Sequence, residues 1–189
     1  MSPVTHFLTG WVFANCFRLN RRERAVVTFA SVVPDIDGLG IVPELLTRNT
    51  SHPLLWFSEF HHSLHTLLFA LIVSFCAALA LTKSWWVTLL VFLSFHLHLV
   101  EDLVGSRGPD GDQWPIPYLK PFWSELQLVW HGQWALNGWQ SYLTTTALLV
   151  VTIWIAREKG VGPVEIFFPK ADRQLVQVLK GKSGTLVQP

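Results

Sequence analysis

Residues 84 to 105 read SWWVTLLVFLSFHLHLVEDLVG, and the fold turns on how this stretch is taken. Its first part is Trp, Val, Leu and Phe with no charged residue, the composition of a helix in lipid. Spanning a bilayer takes roughly 20 mostly apolar residues, a length this stretch meets. Its last part, however, holds His96, His98, Glu101 and Asp102. Ionisable side chains in a membrane helix are costly and mark function by default. The stretch therefore predicts a spanning helix with a chemical site at one end.

The rest of the chain supports a lipid solvent. Half of its 189 residues are hydrophobic, ten are Trp, and only 14% are charged, against about 25% in soluble domains. Mean hydropathy is +0.36. Residues 1–17, 60–82, 84–100 and 126–156 contain no Asp, Glu, Lys or Arg. Spans are expected at His65 to Thr82, Ser84 to Val104 and Trp139 to Ala156, with another at Pro3 to Leu19. Ala25 to Val33 is too short to cross alone. The expected fold is all-α: an integral membrane bundle of about four to five helices. Its membrane domain covers residues 1–159, and a short cytoplasmic tail covers 160–189. In that tail Leu175, Val178 and Leu179 line one side of an amphipathic helix.

A cleaved signal peptide would carry its positive charge before the apolar core. Here Arg18, Arg21, Arg22 and Arg24 follow it, as expected of a retained first helix. Cys16 and Cys76 lie in apolar segments and form no metal or disulfide pattern. With the N-terminus outside, eleven basic residues, among them Lys83, Arg157, Lys159 and Lys182, fall on the inner side. Only Arg48, Arg107 and Lys120 fall outside, which satisfies the positive-inside bias.

That topology brings the polar residues to one membrane face. His6 opens the first helix. Pro34 disfavours helix continuation and leaves Asp35 and Asp37 at the outer end of the second segment. His61, His62 and His65 open the third span, and His98 and Asp102 end the fourth. Residues i and i+4 share a helix face, so His61 with His65, and His98 with Asp102, can each aim at one point. His96 lies about 200° round the helix from His98. His96 and His131 are therefore expected to be hydrogen-bonded core residues. Imidazole and carboxylate together suit zinc, and also manganese or iron. A divalent cation would also neutralise a cluster that lipid disfavours. The metal ligands expected are His6, Asp35, Asp37, His61, His65, His98 and Asp102, enough for one or two ions. Asp37, Glu101 or His62 could act as general base.

These residues carry a resemblance. THFLTG near the N-terminus, PDID after a short apolar segment, HHSLHTLLF before a span, HLVED ending the next, and QWPIPYLKPF downstream come in that order. The chain resembles, over residues 4 to about 122, the YdjM family of membrane-bound proteins predicted to be metal-dependent hydrolases. The resemblance implies a multi-span protein of the bacterial inner membrane whose His and Asp residues bind metal. Many relatives resemble His-Arg-Gly-x-x-His-Ser before the third span, whereas this chain reads Phe60-His61-His62-Ser63-Leu64-His65-Thr66. The arginine, which could bind an anionic substrate, is absent.

A site at the outer interface would meet lipid headgroups or lipid-linked intermediates first. Trp114, Tyr118, Trp123, Trp130, Trp134 and Trp139 resemble an interfacial aromatic belt, which anchoring alone would explain. The expected function is hydrolysis of an ester or phosphoester of a lipid or lipid-linked substrate by metal-activated water. The competing class is a non-catalytic metal carrier or metal-stabilised scaffold. A carrier should spread ionisable residues through the membrane depth, whereas here they cluster at one face. No GxSxG, Walker A or paired CxxC motif is present, and a net charge of +1 offers no general attraction to nucleic acid.

Overall fold

The computed structural model describes residues 1–79, 84–108 and 111–181. Among them the chain is helical, with two isolated bridges and no strand. Thr82, Lys83 and Lys182, which entered the span and charge assignments, lie outside the described residues.

Local chemistry sets most helix starts. In α1 (Pro3–Asn15) the Ser2 hydroxyl accepts the Thr5 N–H at 3.3 Å, and Pro3 occupies the first turn, where its missing N–H costs nothing. Asn20 and Glu23 form a reciprocal capping box on α2 (Arg21–Ala30). The chain then turns through a 3₁₀ segment, Val33–Gly40, begun by Pro34, into α3 (Ile41–Thr47) and α4 (Trp56–Phe60). Thr66 caps α5 (Leu67–Ala77), accepting the Phe69 N–H at 3.1 Å. The long helices are α6 (Trp85–Gly105) and α7 (Trp139–Lys159). Gly160, at φ 74°, ends α7 in the left-handed conformation that glycine adopts without penalty. A 3₁₀ turn, Pro163–Ile166, leads into α8 (Pro169–Leu179).

Two helices, α6 and α7, are long and apolar enough to cross a membrane. A third crossing is available if α2 and the Val33–Thr47 segment, bent by 51° at the break before Pro34, count as one. The described helices thus supply two or three candidate spans where four to five were expected. The α1 helix stops at Asn15, just before the arginine cluster.

The HHSLH segment also differs from expectation. His62 has φ 76°, a left-handed conformation that cannot continue a right-handed helix. Residues 61–65 therefore form a turn ahead of α5, and His61 and His65 do not share a helix face.

Helix α1 packs on α2, α6 and α7, while α6 packs on α1, α2 and α5. Ala14, Val27, Ala30, Val87, Leu90 and Val91 fill the core between α1, α2 and α6. Gly10 sets the α1–α2 approach: a Cβ there would lie 2.1 Å from Ser31 Oγ and 2.8 Å from the Thr28 carbonyl oxygen. Overpacking of this kind costs about 1–3 kcal/mol. Gly10→Ala should lower the melting temperature of detergent-purified protein accordingly; an unchanged melt would show that the two helices can part without cost.

The 106–138 segment folds back over the end of α6. Ile116 and Leu128 exchange both backbone hydrogen bonds, at 3.0 and 2.9 Å. Buried Gln133 donates to the Asp102 carbonyl at 2.8 Å and accepts the Trp114 N–H at 3.1 Å. At the other end, Arg21 donates to the carbonyls of Glu165 and Ile166 at 2.8 and 3.0 Å. The Asp172 carboxylate accepts the Gly162 N–H at 2.9 Å. These bonds dock the described part of the tail on the bundle. Val176 is buried, whereas Leu175 and Val178 face outward.

Candidate metal centre

Five side chains from four parts of the fold meet where α1, α6 and the two preceding turns converge. His6 comes from α1, Asp35 from the 3₁₀ turn, His65 from the turn before α5, and His98 and Asp102 from α6. All three imidazoles are fully buried and Asp102 nearly so. One ligand atom each from His6, Asp35, His98 and Asp102 falls within 4.8 Å of the others. His65 Nε2 lies 3.0 Å from His98 Nε2 and 3.3 Å from Asp102 Oδ2. The i, i+4 relation on α6 behaves as expected, with His98 Nε2 2.9 Å from Asp102 Oδ2.

The Nδ1 atoms of His98 and His6 each meet an oxygen, and their Nε2 atoms turn into the cluster. His98 Nδ1–H donates to the Ser31 carbonyl at 2.9 Å, which leaves Nε2 as the bare nitrogen of a neutral ring. His6 Nδ1 lies 2.6 Å from Glu101 Oε2, and Thr9 donates to the other oxygen of that carboxylate. Asp37 Oδ2 lies 3.6 Å from His65 Nδ1. Asp37 is itself fixed by the Leu64 N–H and by His61 Nδ1, each at 3.1 Å. Carboxylate or carbonyl behind each imidazole is the arrangement that orients metal-binding histidines.

The residues fit a cation on their own chemistry. His6 Nε2 and Asp35 Oδ2 are buried with no hydrogen-bond partner. His6 Nε2 faces Asp102 Oδ1 at 3.1 Å, and Asp35 oxygens stand 3.7–3.9 Å from the Nε2 atoms of His6, His65 and His98. Buried polar atoms without partners are costly, and a divalent ion would satisfy both. Imidazole nitrogen with carboxylate oxygen suits zinc, manganese or iron. Among the described residues no Lys or Arg pairs with Asp35, Asp37, Glu101 or Asp102; their charged partners are histidines and the Met1 amino group, which contacts Asp102 and Ser106.

A cavity of about 320 Å³ opens beside this cluster, with Asp35 and Asp102 on one side and His61, His62, Phe57 and Trp114 on the other. The edge of the Trp114 ring meets both His61 and His62, at centroid distances of 5.4 and 5.2 Å. Burial, with His65 and His61 close by, pushes the His62 imidazole down to about 3, so it is uncharged at neutral pH. His62 takes its left-handed φ at the place where the motif quoted above carries glycine.

The structure therefore sorts the candidates. His6, Asp35, His65, His98 and Asp102 form the cluster; Asp37 and Glu101 stand behind its histidines; His61 and His62 line the cavity. His96 is a half-buried structural residue, within hydrogen-bond distance of the Phe92 carbonyl at 2.8 Å and the Tyr118 hydroxyl at 2.9 Å. His131, expected in the core, is exposed, because the 106–138 segment turns there over the surface. Ser31, Thr9 and Trp114 carried no motif as ligand-orienting or cavity residues: a carbonyl, a hydroxyl and one of many Trp are not distinctive in a sequence. Glu101→Ala should weaken metal binding by about 10–100-fold, the usual effect of removing an orienting partner, in competition with a chelating dye. Unchanged affinity would show that the His6 ring is held by packing alone.

No curated protein and no solved structure matches the chain. Over residues 1–165, which include every residue of the cluster and the cavity, the chain matches the family described as YdjM inner membrane protein, and it belongs to that family.

Proposed function

We propose that the protein is a membrane-bound metal-dependent hydrolase acting on an ester or phosphoester of a lipid or lipid-linked substrate. One observation carries this: buried imidazoles and carboxylates turn their free ligand atoms toward one point beside a cavity of about 320 Å³. His6, Asp35, His98 and Asp102 would hold the ion, with His65 beside them, and zinc is preferred for this donor set. When bound, such an ion supplies a water activated at a pKa of about 7 and polarises the ester oxygen.

The protein's own groups do the rest. Glu101 and the Ser31 carbonyl keep the Nε2 atoms of His6 and His98 turned inward, and Asp37 stands 3.6 Å behind His65. Asp35 stands at the junction of cluster and cavity as a ligand. His62, uncharged on the cavity wall, can accept a proton from water. Phe57, Leu39 and Trp114 exclude bulk water. The basic residues favour the N-terminus and the site outside and the C-terminus in the cytoplasm. In that arrangement α1 and α5, with 13 and 11 residues, would complete four or five crossings only with the bilayer thinned around them.

The test is turnover of a lipid panel by metal-loaded, chelator-stripped and His62→Asn protein, asparagine being a residue that tolerates the left-handed φ there. Loaded protein should cleave an ester that stripped protein does not. His62→Asn should lose about 10²–10⁴-fold in turnover, the usual share of a general base, while keeping its metal. Absence of turnover in all three would favour a metal-stabilised scaffold or a metal carrier, and a trapped acyl- or phospho-Ser63 would replace the activated water with a side-chain nucleophile.

A further inference from the structure

The segment from Ile36 to Phe60 lies beside the cluster, yet nothing in the metal chemistry uses its surface. Ile36, Leu39, Leu45, Leu46, Trp56 and Phe60 are each more than half exposed. Contiguous apolar surface of this kind marks a contact with a partner or with lipid. The segment is nonetheless built firmly. Glu44 accepts the Ser58 N–H at 2.9 Å and the Ser58 hydroxyl at 2.6 Å, and the Thr47 hydroxyl accepts the Leu54 N–H at 2.8 Å. These bonds clamp α3 to α4 as a hairpin whose apolar side chains point away from the protein.

Beneath the hairpin runs a second groove of about 400 Å³, lined by Ile36, Leu39, Pro43, Trp56 and Phe60 and ending at Asp37. It shares Leu39 with the cavity at the metal cluster. Neither space has a Lys or Arg in its lining, and the Met1 amino group at the first cavity is already paired with Asp102. An apolar groove that opens through apolar side chains and adjoins the cavity of the proposed hydrolytic site at Leu39 matches one occupant best, a hydrocarbon chain.

We propose that the Ile36–Phe60 hairpin dips into the bilayer and seats one acyl chain of a membrane lipid in this groove, bringing the first polar bond of that chain to the metal cluster. The substrate class this selects is a long-chain acyl lipid cleaved at its carboxylic ester. Water adds to the ester carbonyl and the alkoxide leaves with a proton, giving a fatty acid and an alcohol. The cleavage rests on the hydrolase assignment; the seating of the chain does not, and it is measured separately.

The full-length protein is placed in phosphatidylcholine vesicles that contain a phosphatidylcholine with a diazirine in its acyl chain, and labelled residues are mapped after illumination. Ile36→Trp, at a side chain 53% exposed that lines the groove but not the cavity at the cluster, fills the groove without disturbing the core. Wild-type protein should label at Pro43, Trp56 or Phe60, and Ile36→Trp should lose at least most of that labelling. Label on the outward face of α7 and metal content should be equal in both proteins. Labelling confined to the long helices, or equal at the groove in both proteins, would overturn the proposal. In the turnover arm, long-chain esters should be favoured over short-chain ones by wild type, and Ile36→Trp should lose that preference. Groove labelling without cleavage of any ester would leave the acyl seat standing and remove the hydrolase assignment. Cleavage of short and long chains alike by both proteins would keep a hydrolase and remove the seat.

Discussion

His98→Ala and Asp102→Ala proteins, purified in detergent, should carry almost no metal, whereas His96→Ala should carry as much as wild type. His98 and Asp102 sit one helical turn apart on α6 with their ligand atoms 2.9 Å apart, and both reach toward His6, His65 and Asp35. Removing either deletes a donor and leaves the remaining buried groups worse matched, which costs more than the loss of one contact. His96 occupies the same helix but turns its ring to Phe92 and Tyr118. Elemental analysis of the three variants beside wild type decides the matter. Equal metal in His96→Ala and His98→Ala, both low, would move the site to the other face of α6.

Stripping the metal should lower the melting temperature by about 8–16 °C. Four carboxylates surround the cluster with only histidines and the Met1 amino group as charged partners, and buried ligand atoms such as His6 Nε2 and Asp35 Oδ2 have no hydrogen-bond partner in the apo protein. A ligand at about a thousand times its dissociation constant contributes about 4 kcal/mol to the folded state. For a chain of this size each kcal/mol moves the midpoint by about 2–4 °C. Differential scanning fluorimetry of loaded and chelated protein measures the shift, and the Asp102→Ala variant should show almost none on chelation. An equal melt for loaded and chelated wild type, with metal removal verified, would mean the ion binds at the surface.

Much of this molecule was legible before any coordinates. Residues 84–100 and 139–156 are long charge-free, mostly apolar stretches, and both lie in helices where expected, because hydrophobic length is a local property. The HxxxD spacing of His98 and Asp102 was also legible, since the period of a helix converts spacing directly into direction. The family resemblance rested on short motifs in a fixed order, and the match over residues 1–165 includes all of them.

Other features depended on contacts between elements far apart in the chain. The spacing of His61 and His65 suggests a shared helix face, but His62 turns left-handed and sends the two rings to different layers of the site. Glu101 looked like a reacting group beside Asp102, but the approach of α1, set by Gly10 against Ser31, places His6 on it. The helix count fell short because α1 is cut off ahead of the arginines and α2 is bent at Pro34, so length in sequence was not length in one helix. By itself the sequence determined the lipid solvent, the two long helices and the types of residue that could hold a metal, since each follows from composition or from spacing within one element. Only the tertiary structure decided which of those residues face one another, which stand behind them, and that the cavity at the cluster and the groove under the Ile36–Phe60 hairpin share Leu39. Such relations arise where backbones cross, and no local pattern encodes the crossing.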